Sequence, residues 1–119
     1  MTSVTIARIY EQQRATDGFR VLVDRLWPRG VSKQAAALDE WNKDLAPSTE
    51  LRTWWNHDPD TFEDFASRYQ SELDERPEVA AFVEQVRTHD RLTLLYAARD
   101  PALNHAIVLR DYLLNALDD

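Results

Sequence analysis

Two stretches of the chain are almost wholly apolar, and both end abruptly in charge. Phe19 to Val23, broken only by Arg20, runs into Asp24-Arg25, and Leu92 to Ala98 runs into Arg99-Asp100. Apolar runs without a polar alternation suit β-strands covered on both faces. Val4 to Ile9 is rich in β-branched residues and free of Gly and Pro, so it reads as a further strand. It stops before the polar run Glu11 to Gly18, where Asp17-Gly18 marks a turn. The connection to Phe19 is too short for a usual helical crossover, which leaves an antiparallel pairing of the first two strands open.

The middle of the chain changes period. Ser32 is placed to cap a short helical turn through the three alanines that follow. Leu38 to Leu45 fits two patterns, because Trp41, Lys43 and Leu45 alternate with Glu40, Asn42 and Asp44 while Leu38, Trp41 and Leu45 also fit a helical stripe. A short strand is the expectation there. Pro47-Ser48 opens a helix with Ser48 as cap, Glu50 in the favourable first turn and Leu51, Trp54 and Trp55 on its apolar side. His57-Asp58-Pro59 ends it and starts another, whose inner face is Phe62, Phe65, Ala66, Tyr69 and Leu73. Pro77 opens a third with Val79, Phe82, Val83 and Val86 inward, and His89 reads as an exposed helix end. Asp100-Pro101 repeats the cap-and-proline signal for a closing helix bearing Leu103, Ala106, Ile107, Leu113, Leu114 and Leu117.

Strands on either side of a helical middle, followed by a closing helix, predict one α/β domain over residues 1–119. Its sheet is expected to be small, mostly parallel and flanked by helices. Ligands of such sheets sit beyond the carboxyl ends of the strands. Both charged turns fall there.

Composition narrows the chemistry. The absence of cysteine excludes disulfides, thiolate nucleophiles and zinc-thiolate or iron-sulfur sites, and fits a reducing cytoplasm. No run is long and apolar enough for a membrane span, and the start lacks a signal-peptide pattern, so a cytoplasmic protein without membrane attachment is expected. A net charge of -7 argues against nucleic acid as a partner, since phosphate-backbone binding needs a broad basic footprint. The charge is uneven, however: Arg25, Arg29, Lys33 and Lys43 share an early stretch, while acids crowd Asp58 to Glu84 and the end at Asp118 and Asp119.

The candidate site follows from that unevenness. Trp27-Pro28 stiffens the exit from Val21 to Val23, Gly30 relaxes it, and Arg25 and Arg29 are presented on the turn between. After the other buried strand come Tyr96, Arg99 and Asp100, with Asn104 and His105 expected in the first turns of a helix, whose free amides suit an anion. Arg25, Arg29, Lys33, Lys43, Arg52 and Arg99 are candidate anion ligands, with Trp27, Tyr96 and Asn104 beside them. Asp24, His57, Asp100 and His105 are candidates to orient or move protons. Each has a plainer reading as ion pair, cap or core plug. A Gly-rich phosphate loop is excluded by having only Gly18 and Gly30, the three histidines lack metal-ligand spacing, and no serine sits in a nucleophile elbow. No metal site is indicated, and neither cofactor nor oligomeric state is legible.

These stretches together resemble the DUF488 family, and more closely its YeaO-like branch of small bacterial proteins. The resemblance covers nearly the whole chain. It is carried by Asp17 to Gly30 with Lys33, by Trp41, Leu45 to Ser48, Leu51-Arg52 and Trp55, and by His57 to Pro59. It continues through Phe65, Arg68-Tyr69, Glu72-Leu73, Leu94 to Asp100 and Asn104 to Ala106. The resemblance implies an α/β fold with a largely parallel sheet, favouring the parallel option for the first strands, and implies no established activity. The expected function is a small enzyme-like domain holding a phosphorylated or carboxylated metabolite, nucleotides included. The alternative is a non-catalytic interaction module in which the same charges form an internal network. What Arg29 and Arg99 pair with separates the two.

Overall fold

Strand β4 (Arg91–Tyr96) lies inside the sheet, between β1 (Ser3–Arg8) and β2 (Phe19–Leu22), in a computed structural model that describes residues 2–118. Met1 and Asp119 lie outside the described residues. The sheet order is β1-β4-β2-β3, where β3 is the two-residue strand Glu40–Trp41, and every pairing is parallel. This is an α/β fold. The antiparallel option for β1 and β2 fails because they are not neighbours: β4, apolar on both faces, takes the place between them. Leu92, Leu94, Leu95 and Tyr96 are all buried.

The helices are α1 (Lys33–Ala36), α2 (Thr49–Trp55), α3 (Phe62–Asp74), α4 (Pro77–Val86) and α5 (His105–Leu117). One face of the sheet, with Val21, Val23, Leu92, Leu94 and Tyr96, packs on α3, α4 and α5 through Phe65, Tyr69, Phe82, Val86, Leu109 and Leu113. The opposite face, with Leu22 and Leu95, is covered by Ile9 and Ala36 and by the partly buried Trp27 and Trp41. Among the described residues no helix is long and apolar enough to cross a membrane.

Capping follows the sequence at several starts. Ser32 accepts from Ala35 N at 3.0 Å, Ser48 accepts from Leu51 N at 3.1 Å, and Pro77 opens α4. Four expectations need correction. The closing helix does not begin at Asp100-Pro101: Asp100 Oδ1 accepts from Ala102 and Leu103 amides in a separate turn, and Asn104 caps α5 by accepting from Ile107 N at 3.0 Å. Asp58 likewise caps only a 3-10 turn, Pro59–Thr61, ahead of α3. In both cases the aspartate side chain accepts from amides two or three residues on and closes a turn before the helix begins. The segment Leu38 to Leu45 is split between both readings, with β3 followed by a 3-10 turn at Lys43–Leu45. His89, expected exposed, is half-buried and stacks on Phe19 at 4.3 Å between centroids.

The charge inside β2 is resolved locally. Arg20, 2% exposed, pairs with Asp17 at 2.5 Å and donates to the carbonyls of Ala36 and Ala37, so its burial leaves no unmet donor on that side. The turn before it needs glycine: Gly18 has φ +68, and a Cβ there would lie 2.5 Å from the Arg91 carbonyl oxygen.

The packing of α3 against α5 carries a pH dependence. Burial pushes the Tyr112 hydroxyl up to about 12, helped by its 2.6 Å hydrogen bond to Asp74 and that group's charge. The unfolded chain loses this proton near pH 10 and the folded chain retains it, so stability present below about pH 10 is lost as pH rises toward 12. Melting temperature should fall through that window, and Tyr112→Phe should flatten the fall. An equally steep fall in the variant would assign the effect elsewhere.

Candidate functional site

Because β2 and β4 are adjacent and parallel, the chain leaves both at the same sheet edge, and their exits face one another. Asp24 joins them, with Oδ2 accepting from Ala97 N at 2.9 Å. Arg8, at the end of β1, reaches the carbonyls of Ala98 at 2.9 Å and Ala97 at 3.4 Å. The β4 exit is therefore fastened from both neighbouring strands, and Arg99 projects beyond it.

The β2 exit is fixed by three aromatic donors. Trp41 Nε1 donates to Asp24 O at 2.8 Å, Trp27 Nε1 to Val31 O at 2.6 Å, and the Tyr10 hydroxyl to Arg29 O at 3.0 Å. Trp27 and Trp41 meet edge to face at 5.2 Å. Bound at its start, its end and Arg29, and containing buried Pro28, this turn holds Arg25 and Arg29 in place.

Helix α3 fixes the facing wall. The Tyr69 hydroxyl donates to Leu45 O, Arg76 donates to Asp44 O at 2.7 Å and Ala46 O at 2.6 Å, and Glu72 accepts from Ser48 N at 2.8 Å and Ser48 Oγ at 2.5 Å. Burial holds the Tyr69 hydroxyl well above its ordinary range, so it remains a donor. Residues Ala46 and Pro47 are thereby set opposite Arg25, whose terminal nitrogen reaches Pro47 O at 3.4 Å.

These walls enclose a cavity of about 1080 Å³. Of the residues singled out in the sequence, Asp24, Arg25, Trp27, Arg29, Arg52, His57, Arg99, Asp100 and His105 line it. Four do not. Lys33 lies exposed at the start of α1, Lys43 sits over the Trp41 ring at 4.3 Å, Asn104 is buried as the α5 cap, and Tyr96 is in the core, its hydroxyl raised chiefly by burial and then by Glu11. Tyr10, Pro47, Trp55 and Phe65 line the cavity and were not singled out. For Trp55 and Phe65 the helical stripe and the family resemblance were the signals, and both point equally to core.

The electrostatics separate the arginines from the rest. Among the described residues, Arg25, Arg29, Arg52 and Arg99 have no carboxylate within ion-pair distance, and the guanidinium groups of Arg29, Arg52 and Arg99 donate no hydrogen bond. Arg25 Nε is buried without a partner, as is Asp24 Oδ1. Arg29, Arg52 and Arg99 are exposed and Arg25 is half-buried, so their donors are free for an anion entering the cavity, beside the carboxylates of Asp24 and Asp100.

His105 opens α5, and its Nε2 lies 3.1 Å from both Val23 O and Asp24 Oδ1. The distance alone would make an ion pair with Asp24, but the hydrogen bond runs to Val23 O and leaves Oδ1 unpartnered. Both neighbours being acceptors, Nε2 must carry the hydrogen. Among the described residues no group of three or more His, Asp or Glu could hold a metal ion.

His57 lines the cavity in an unusual backbone state. It follows Asn56, the left-handed C-cap of α2 at φ 48, and itself has φ 57, with its ring 4.9 Å from Trp55. A non-glycine residue there costs on the order of 1 kcal/mol, and such outliers cluster at binding sites. His57→Gly should hold or raise the melting temperature while weakening anion binding several-fold. Loss of stability instead would make the ring a prop for Trp55.

No solved structure matches the chain. It is 40% identical to the "Uncharacterized protein YeaO" of Escherichia coli (strain K12), covering 93% of this chain and 96% of that one. It is 44% identical to the "Uncharacterized protein Rv3073c" of Mycobacterium tuberculosis (strain ATCC 25618 / H37Rv), covering 94% of each. Mb3100c of Mycobacterium bovis (strain ATCC BAA-935 / AF2122/97), also named as an uncharacterized protein, stands at the same identity and coverage. A family model described as "Inactive DUF488-N3 subclade" matches residues 3–119, taking in every wall of the cavity. The chain belongs to this DUF488-N3i family.

Proposed function

We propose that the protein binds a small phosphorylated or carboxylated metabolite, nucleotides among the candidates, in the cavity beyond the ends of β2 and β4. The observation that carries this reading is that Arg25, Arg29, Arg52 and Arg99 all line one cavity without ion-pair partners among the described residues. An internal charge network would have paired Arg29 and Arg99 with Asp24, Asp58, Asp100 or Glu72. Convergence on a cavity also fits a small ligand better than an open basic stripe for nucleic acid. The word "inactive" in the family description supports binding without turnover.

A second reading, turnover, draws on one observation: His105 and Asp24, an imidazole and a carboxylate 3.1 Å apart, both line the cavity.

The test is a thermal-shift screen of phosphate, nucleotides, sugar phosphates and dicarboxylates against the native protein and Arg29→Ala. A ligand at about one hundred times its dissociation constant adds roughly 2.7 kcal/mol, several degrees for a chain of this size. A shift in the native protein that shrinks in the variant supports the reading. No shift with any of them, together with loss of stability in Arg29→Ala, would sink it in favour of a structural charge network. Incubation of any ligand found, followed by product analysis, separates binding from turnover.

A further inference from the structure

We propose that the ligand carries, beside its anionic group, a hydrogen-bond donor on its neutral part, and that Asp24 receives it at Oδ1. This rests on the anion-binding reading and adds the other half of the ligand to it. Asp24 is an odd neighbour for an anion site. Its Oδ2 is used by Ala97 N, whereas Oδ1 is buried and accepts no hydrogen bond from any described residue, and Asp24 is among the residues that line the cavity. His105 stands close enough to help, but the one hydrogen on Nε2 is directed at Val23 O. On the next residue, Arg25 Nε is a buried donor in the same state.

A carboxylate is an acceptor only, and an arginine a donor only. A bare anion satisfies Arg25 Nε and is repelled by Asp24 Oδ1. A molecule offering both an anionic oxygen and a hydroxyl or N–H satisfies both, and leaves neither of two buried polar atoms orphaned. The carboxylate also rejects anions that bring no donor, which gives the cavity discrimination that four arginines alone would lack. Sugar hydroxyls and nucleobase N–H groups share this donor chemistry.

Titration calorimetry at pH 8 with four probes tests it: sulfate and butyl phosphate, which lack a donor, ribose 5-phosphate, which has hydroxyls, and a dideoxynucleoside monophosphate, which has base N–H groups only. The native protein should bind ribose 5-phosphate or the dideoxynucleotide at least about ten-fold more tightly than butyl phosphate, the scale of one charge-assisted hydrogen bond. Whichever of the two wins identifies the donor. Asp24→Asn, which keeps the shape and the Ala97 contact but removes the charge, should weaken that winner by about ten-fold and tighten sulfate. Equal affinity for butyl phosphate and both donor-bearing probes, or equal losses for every probe in the variant, overturns the donor assignment and leaves anion binding standing. Failure of the native protein to bind any probe overturns both.

Discussion

Phe65→Ala lowers the unfolding free energy by about 3–5 kcal/mol, the range for truncating a fully buried aromatic ring. Phe65 is 0% exposed and central to an aromatic row: it stacks on Trp55 at 4.2 Å and meets Tyr69 at 5.7 Å and Phe62 at 6.0 Å. The row joins α2 to α3, and Trp55 Nε1 in turn donates to Asp58 O at 2.8 Å, pinning the His57 turn. Because Phe65 also faces the cavity, the hole cannot be filled by collapse without moving that wall. A melting-temperature drop on the order of 10 to 20 °C is expected. Phe65→Leu should recover most of it. A drop of only a few degrees in the alanine variant would show that α2 and α3 are not coupled through this row.

Arg25→Ala has the opposite signature. Its guanidinium makes one long contact to Pro47 O and leaves Nε buried without a partner, so the folded state gains little from it. Removing a charge whose burial is uncompensated should leave the melting temperature unchanged or higher. Anion affinity should fall by about 10- to 100-fold, equivalent to roughly 1.5–3 kcal/mol for a hydrogen bond to a charged group. Arg25→Lys should not rescue it, since lysine has neither the fork nor a donor at the Nε position. Calorimetric titration with the tightest anion found, alongside thermal melts, decides the matter. A variant that binds as well as the native protein but unfolds several degrees earlier would make Arg25 structural.

The pairing of these outcomes reflects how the chain divides its charged residues. Arg8, Arg20 and Arg76 are committed to backbone carbonyls and hold loops, whereas Arg25, Arg29, Arg52 and Arg99 face the cavity. Nothing in residue type separates the two sets. Arg20 sits in an apolar run five residues from Arg25, yet one closes a turn and the other lines the site.

By itself, the sequence determined the two buried strands, several helix starts and the end of the sheet where the candidate site lies. Two short apolar runs, one with β-branched residues and both ending in charge, suit buried strands whose exits meet water, and Ser48 and Pro77 mark helix starts through local backbone chemistry that needs no partner. Only the tertiary structure decided sheet order, because a strand apolar on both faces announces burial but not its neighbours, and β4 displaces β2 from beside β1. The same limit governed the site. Periodicity cannot tell a core ring that backs the cavity wall, such as Phe65 or Trp55, from an equally buried core ring away from it, such as Phe82. Nor can spacing tell Lys33 and Lys43, carried away from the cavity by α1 and the Trp41 ring, from Arg52 and Arg99, carried into it, since that depends on contacts between residues far apart in the chain.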